Sequence, residues 1–293
     1  MNRKMKKFIV WTVAIMIVSF GISAGLFMQA GENILHITNS VNRESIENDV
    51  DITKNLEIEN VEKIYIDMIS TNVKVIPEDR KDIKIHFYGT TNEKISPLNI
   101  EKKDKAIFVK EKKKNEMVIN IGKGSLSDTH LDVYIPKDYS KDIDIEAVSG
   151  DINFGKLQIE IANISTVSGD IEGDIIDGKN ATFKTISGDI EIESSKGKLY
   201  AKSVSGDIAT KVESLKDDLA FKSTSGNVEI KLPKTALFRL QASSTSGEIN
   251  CEFPIKIEKN KGRNNLYGNV GNDEEIKNTI NINTVSGDID LVK

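Results

Sequence analysis

From residue 143 onward the chain is written in short runs where apolar and polar residues alternate, and the runs come in pairs. When Ser149, Ser168, Ser187, Ser205, Ser225, Ser246 and Ser286 are each set to zero, the fourth residue before them is Ile145, Ile164, Phe183, Ala201, Phe221, Ala242 or Ile282. The sixth before is again apolar at Ile143, Ala181, Leu199, Leu219, Leu240 and Ile280, and alternate positions are polar in most copies, such as Glu146, Lys184, Lys202 and Lys222 three before. A period of two predicts a strand with one buried face. Three residues after the serine stand Ile152, Ile171, Ile190, Ile208, Val228, Ile249 and Ile289, and five after it Phe154, Ile192, Ile230, Cys251 and Leu291. This second strand buries odd positions where the first buries even ones, so the chain turns between them.

One motif spells that turn. It reads VSGDI from Val148, Val167, Val204 and Val285, ISGDI from Ile186, TSGNV from Thr224 and TSGEI from Thr245. The corner residues are Ser149, Gly150 and Asp151; Ser168, Gly169 and Asp170; Ser187, Gly188 and Asp189; Ser205, Gly206 and Asp207; Ser225, Gly226 and Asn227; Ser246, Gly247 and Glu248; and Ser286, Gly287 and Asp288. The glycines are expected to take positive φ, and Asp or Asn beside them suits a turn. Successive serines are 19, 19, 18, 20, 21 and 40 residues apart. Units of about 20 residues are too short to fold alone and must stack to bury their apolar faces. The expectation is an all-β fold, a parallel β-solenoid whose equivalent residues form ladders at about 4.8 Å per coil. A propeller blade needs about twice the length. An antiparallel meander sandwich is the alternative, since about 20 residues also make a hairpin, but identity at fixed positions favours in-register ladders, which alone make every copy environmentally equivalent.

The register reaches toward the N-terminus. Ile64, Ile66, Met68 and Ser70 read as one strand and Val73 and Val75 as the next, with Asn72 in the aspartate column; Leu131, Val133 and Ile135 match the second strand of another coil. Residues 61–142 are expected as irregular coils and 143–293 as regular ones, together one solenoid domain over 61–293. Residues 91–124, with Lys102, Lys103, Lys105, Lys110 and Lys112 to Lys114, read as a projecting hairpin or irregular coil. Residues 255–278 read as a loop, because coil register there would bury Lys261, Arg263 and Asn265.

The first residues break the pattern. Residues 1–7 carry Arg3, Lys4, Lys6 and Lys7, and 8–28 are uncharged, long enough to cross a bilayer as a transmembrane signal-anchor helix. The positive-inside rule then predicts a single-pass membrane protein with residues 1–7 cytoplasmic and most of the chain extracellular. The competing reading is a cleaved signal peptide, whose apolar region is usually shorter. Residues 29–60 are polar and read as an extracytoplasmic linker.

Composition narrows the chemistry. The net charge is −5 over 293 residues with both signs mixed, so no clustered basic face calls for nucleic acid. Cys251 is the one cysteine, which excludes an intrachain disulfide and a cysteine metal cluster. Stacked aspartates could collect Ca²⁺, but calcium-binding solenoids use a denser repeat, and the column is read as structural, each Asp accepting backbone hydrogen bonds at its corner. The Thr or Ser two residues before each motif serine shares parity with the buried strand and is expected to be buried with mutual hydrogen bonds. The residue just before the serine is left open: exposed, Val148, Val167, Ile186 and Val204 would form an apolar patch. His36, His86 and His130 lie in unrelated segments without ligand spacing. No catalytic residue, cofactor or metal is expected.

The SGDI units, the terminal TVSGDIDLVK and the apolar segment ahead of them resemble a bacterial family of adhesin-like proteins of unknown function with SGD-type β-strand repeats, common in Gram-positive bacteria. The resemblance covers about residues 55–293. It implies a right-handed, β-helix-like solenoid and, for anchored members, a place at the cell envelope, some beside envelope-stress systems; it carries over no site residues. The functional expectation is a non-catalytic, membrane-anchored extracytoplasmic solenoid, adhesin or scaffold, that meets an envelope protein or a surface glycan. The alternative is an envelope-stress accessory acting by assembly with itself or a membrane partner, with DIDLVK as an open edge. A carbohydrate-active enzyme is the third reading.

Overall fold

A computed structural model describes residues 48–91, 98–111, 128–260 and 264–293. The chain divides into two compact units, Met1–Ser45 and Ile46–Lys293, and the first lies wholly outside the described residues. The second consists of strands, without a helix among the described residues.

The paired alternating runs become two ribbons of stacked strands that meet at the motif corner. On the first ribbon the parallel order is Ala106–Glu111, Lys63–Met68, Asp142–Ser149, the later halves of Leu157–Ser168, Ile171–Lys184 and Ile190–Lys202, then Leu219–Lys222, Thr279–Asn283 and Phe238–Ser243. On the second it is Asp128–Pro136, Thr71–Glu78, Ile152–Phe154, the starts of Ile171–Lys184 and Ile190–Lys202, then Ile208–Val212, Val228–Lys231, Ile289–Val292 and Ile249–Cys251. Register is kept residue for residue, as in Ile171 opposite Ile190 and Phe183 opposite Ala201. The fold is thus all-β and β-solenoid-like. Differences in step length are absorbed in the return segments, where the register shifts between Asp177 and Asn180 and between Ile192 and Ser195.

The core is the set of inward columns. Ile145, Ile164, Phe183, Ala201, Phe221, Ala242 and Ile282 are all buried, as are Ile152, Ile171, Ile190, Ile208, Val228 and Ile289. Large and small residues alternate between coils. Phe154 stacks on Phe183 with ring centroids 5.7 Å apart. A Cβ on the intervening Gly173 would lie 2.1 Å from Cζ of Phe154, so that glycine is the space the ring occupies.

Stack order departs from chain order at both ends. The coil at 63–78 sits between those at 106–136 and 142–154, and the last coil, 279–292, sits between 219–231 and 238–251. The terminal strand, expected as an open edge, is therefore paired on both sides. The step of 40 residues is one coil plus a hairpin rather than two coils.

Antiparallel elements close the ends. Residues 255–278, expected as a loop, contain strands Ile255–Asn260 and Asn265–Val270, the second pairing Phe238–Ser243; coil register failed there because antiparallel strands need not follow it. Leu98–Lys103 pairs antiparallel with Ala106–Glu111, and Lys112 to Lys114 lie outside the described residues. Within the expected linker, Asn48–Glu57 is a strand paired with Asp82–Thr91, which pairs Asp128–Pro136. Its partly buried Val50, Ile52 and Leu56, with Ile58 just past its end, are the period-two signal that the intervening charges obscured.

The single-pass membrane location needs correction: among the described residues no helix is long and apolar enough to cross a membrane. The apolar segment 8–28 that prompted it lies outside the described residues.

Candidate functional site

Each corner is built from the neighbouring coils rather than from its own turn. The N–H of Gly169 donates to the carbonyl of Ser187 at 3.1 Å, and that of Gly188 to Ser205 at 3.1 Å, so the motif serines form a bridged parallel row. Stacking brings the backbones so close that a Cβ at Gly188 would lie 2.0 Å from the carbonyl oxygen of Gly169, and one at Gly247 2.0 Å from that of Gly287. The expectation of positive φ holds at three of the seven corners, whereas this close contact is common to all seven. Gly188, Gly206 and Gly287 stand near the extended margin at φ 159, 155 and 157°, and the other four corner glycines are not among the positive-φ residues. Glycine is required because a side chain has no room between coils.

The hydroxyl column is buried as expected, with a different partner. Thr166, Thr185, Ser203, Ser223, Thr284 and Ser244 donate to the carbonyls of Gly150, Gly169, Gly188, Gly206, Gly226 and Gly287, at 3.0–3.4 Å, rather than to one another. Thr71, in the first coil, meets the Thr129 hydroxyl at 2.8 Å.

The aspartate column forms an unbroken chain. The N–H groups of Asp151, Asp170, Asp189, Asp207, Asn227, Asp288 and Glu248 donate in turn to Oδ1 of Asn72, Asp151, Asp170, Asp189, Asp207, Asn227 and Asp288, at 2.6–3.0 Å. Each acceptor serves the next coil, not its own corner. Any side chain with an oxygen at that reach can serve, which accounts for Asn at 227. Among the described residues no group of three His, Cys, Asp or Glu side chains is placed to hold a metal ion.

The open question of the residue before the serine resolves outward. Five of the seven large hydrophobic side chains exposed among the described residues are Val148, Val167, Ile186, Val204 and Val285, all in that one column and 36–50% exposed. In stack order the column reads Ile69, Val148, Val167, Ile186, Val204, Thr224, Val285 and Thr245, every member β-branched. Eight rungs at about 4.8 Å make a stripe roughly 34 Å long and one side chain wide. Exposed serines run beside it, then the aspartate column. On its other side, two residues earlier on the outward face, Lys184, Lys202 and Lys222 occupy three successive coils.

Two further clusters were not legible from spacing. His86, Tyr88 and His130, on adjacent antiparallel strands, stack with centroids 4.5 and 5.3 Å apart, and the imidazoles meet Asp51 and Asp128 at 3.1 and 3.2 Å. The rings cover one another's faces, the arrangement of a cross-strand ladder. A groove of about 790 Å³ opens where Ile152–Phe154 is shorter than the strands beside it; Glu172, Asp174, Glu191 and Glu193 line it with Lys74 and Lys156. All six of these side chains are exposed.

Comparison with known proteins places this geometry. The Toastrack DUF4097 family model matches residues 61–200 and 184–292, together spanning the coils. No curated protein matches the chain. Among solved structures, a putative adhesin from Bacteroides fragilis is 14% identical over 83% of this chain and 97% of its own, with a TM-score of 0.44. A putative lipid binding protein from Parabacteroides distasonis is 14% identical over 83% and 97%, at 0.41. A putative cell adhesion protein from Clostridium sporogenes is 14% identical over 83% and 99%, at 0.35. No role is carried over from these.

Proposed function

The chain belongs to the Toastrack DUF4097 family, and on that premise we propose that it is a non-catalytic interaction scaffold, adhesin-like, whose corner ridge meets a macromolecular partner, a protein or a glycan. One observation carries the reading: five of the seven large hydrophobic side chains exposed among the described residues are gathered into a single stripe. Singly exposed hydrophobics are ordinary, whereas contiguous ones mark contact surfaces. Coil repetition supplies the mechanism, since each rung presents the same side chain at the same height and a shallow contact is multiplied along the stack.

Two features speak against a carbohydrate-cleaving reading. Such chemistry uses one carboxyl withdrawn from water beside a second, and the four groove carboxylates all stay in it. The aspartate column is engaged with backbone N–H groups.

The test compares the full chain with its Val167→Asp/Ile186→Asp variant, both substitutions at exposed rungs. Circular dichroism should superpose. Crosslinking capture from cells and a glycan array should each be run on both proteins, and the partner should be retained by the first and lost by the second. Equal retention by both would remove the ridge from the binding surface.

A further inference from the structure

The ridge carries its own complement. Along the three central coils, Lys184, Lys202 and Lys222 border the aliphatic stripe on one side, and Asp189, Asp207 and Asn227 border it on the other. The acidic border continues through Asp151, Asp170, Asp288 and Glu248. We propose that the occupant of the ridge is a second copy of this chain, packed ridge to ridge with the two stacks parallel and the twofold axis along them. This rests on the ridge being the contact surface and adds the identity and orientation of the partner.

The orientation follows from charge. Rotation about the stack direction exchanges left and right borders while keeping every rung at its own height. Lys184 then faces Asp189 of the second copy, Lys202 faces Asp207, and Lys222 faces the neutral Asn227, each contact occurring twice by symmetry. One rung is unfavourable, Glu146 against Asp151, while Ser165, Asn283 and Ser243 face acids without a charge of their own. The antiparallel alternative lays the whole acidic border against itself and the lysines against each other's row, and like charges across an interface are what exclude wrong pairings. The aliphatic rungs, identical in height and β-branched, meet in the middle in either case, so charge alone selects between the two.

The dimensions agree with a modest dimer. A strip roughly 34 Å long that includes both borders is roughly 20 Å wide, giving about 700 Å² per partner, between the lower bound of about 600 Å² and the typical value of about 800 Å² for stable interfaces. The stripe without its borders is too narrow for a globular partner, so the charged columns are part of the contact. Association should therefore weaken with salt.

The experiment uses the full chain, so that association through any other segment persists in every variant. In a Cys251→Ser background, Val148→Cys stands near one end of the stripe. Parallel packing sets the two cysteines opposite each other and predicts a disulfide-linked dimer on mild oxidation; antiparallel packing sets Val148 opposite the far end and predicts none. In sedimentation equilibrium, Lys184→Glu/Lys202→Glu should raise the dimer dissociation constant about tenfold or more, because glutamates would face Asp189 and Asp207. With antiparallel ridges the same variant would only exchange lysine–lysine for glutamate–glutamate opposition and leave the dissociation constant nearly unchanged. Absence of the crosslink together with unchanged or tighter association overturns the proposal. Should the chain also prove monomeric while Val167→Asp/Ile186→Asp still loses another captured molecule, the second copy is excluded and the ridge stands as a surface for a different partner.

Discussion

The middle of the stack and its two ends obey different rules. Between residues 142 and 231 every coil has a like neighbour above and below, so each column must satisfy the same contacts repeatedly and the sequence repeats. At the ends there is no next coil, and the chain turns to antiparallel strands that answer to no column: Asn48–Glu57 and Asp82–Thr91 at one end, Ile255–Asn260 and Asn265–Val270 at the other. Edges are guarded there by particular side chains. Lys54 donates to the carbonyl of Ile100 at 2.7 Å, and Lys102 to those of Glu57 and Glu59 at 2.9 and 3.0 Å. The exposed edge on the second ribbon, Ile249–Cys251, is three residues long. Short and charged edges resist pairing with other chains. Repetition therefore reports the presence of a neighbour, and its loss marks where the stack must stop.

The sharpest way to break this comparison is to remove the C-terminal repeat, which is inserted out of chain order between two earlier coils. Truncation after Gly271 deletes the inserted coil and strips ladder partners from 219–231 on one side and 238–251 on the other. We expect the largest effect here, with loss of hydrogen-exchange protection across both coils while 142–192 keeps its own. Cys251 gives a second readout. Burial holds its thiol above the usual range, with Glu252 adding to the rise and the Phe253 backbone and Lys293 opposing it. Alkylation at neutral pH should be slow in the whole chain and much faster in the truncated one. Equal rates would mean that the last coil is not needed to cover its neighbour.

Next in size is the glycine contact. Gly188→Ala places a Cβ 2.0 Å from backbone that cannot move without shifting a coil, and should destabilise by more than about 2 kcal/mol in urea titration. Gly155→Ala meets side chains rather than backbone, the Pro77 ring at 3.2 Å and Asp174 Oδ2 at 3.8 Å, and should stay within about 1 kcal/mol. Gly169→Ala, with a 2.2 Å approach to the carbonyl oxygen of Gly150 and no positive φ, should lose as much as Gly188→Ala; a loss confined to Gly188 would make turn conformation, rather than coil spacing, the reason for glycine.

The sequence was most legible where neighbours are alike. Period-two alternation around Ser168 and Ser187 placed both strands, their buried faces and the corner, because a column that repeats reveals its environment by repetition. What each motif residue bonds to was not legible. A carboxylate reaching its own turn and one reaching the next coil leave the same letter, and positive φ and a 2 Å approach both leave glycine. The position of 279–292 was hidden for a related reason: VSGDI at Val285 fits any two neighbours equally well, so chain order offered a false default. The strand at 48–57 was masked by Asp49 and Asp51 on its solvent face and by Lys54, which interrupts the row of Val50, Ile52 and Leu56. The His86, Tyr88 and His130 stack needed strand pairing before its members could be seen as neighbours.

A smaller effect is expected in the aspartate chain. Asp189→Ala leaves the N–H of Asp207 to water and should lower stability by about 0.5–1.5 kcal/mol. Asp189→Asn keeps the acceptor, as Asn227 already does, and removes one of several like charges at coil spacing, so its stability should be unchanged or slightly raised. Melting curves of both variants with and without added Ca²⁺ decide the matter. A calcium-dependent rise in the parent that disappears in Asp189→Asn would turn this column from a backbone clasp into a metal site.

The least effect belongs to a side-chain pair that links two central coils through their return segments. Lys179 bonds to Glu160 and holds that carboxyl below its usual range, and Glu160 in turn raises the lysine. A depressed carboxyl pKa gives stability that is present above the unfolded value near about 4.3 and is lost as pH falls through the folded one. The raised lysine gives stability present below about 10.4 and lost as pH rises through its folded value. The difference in melting temperature between the parent and Glu160→Gln should therefore be a low plateau across neutral pH that declines at both extremes. Both groups face solvent, so molar salt should flatten the plateau. A difference that survives salt and acid would assign Glu160 to packing, and with it some of the cohesion between coils that the ladders are taken to provide.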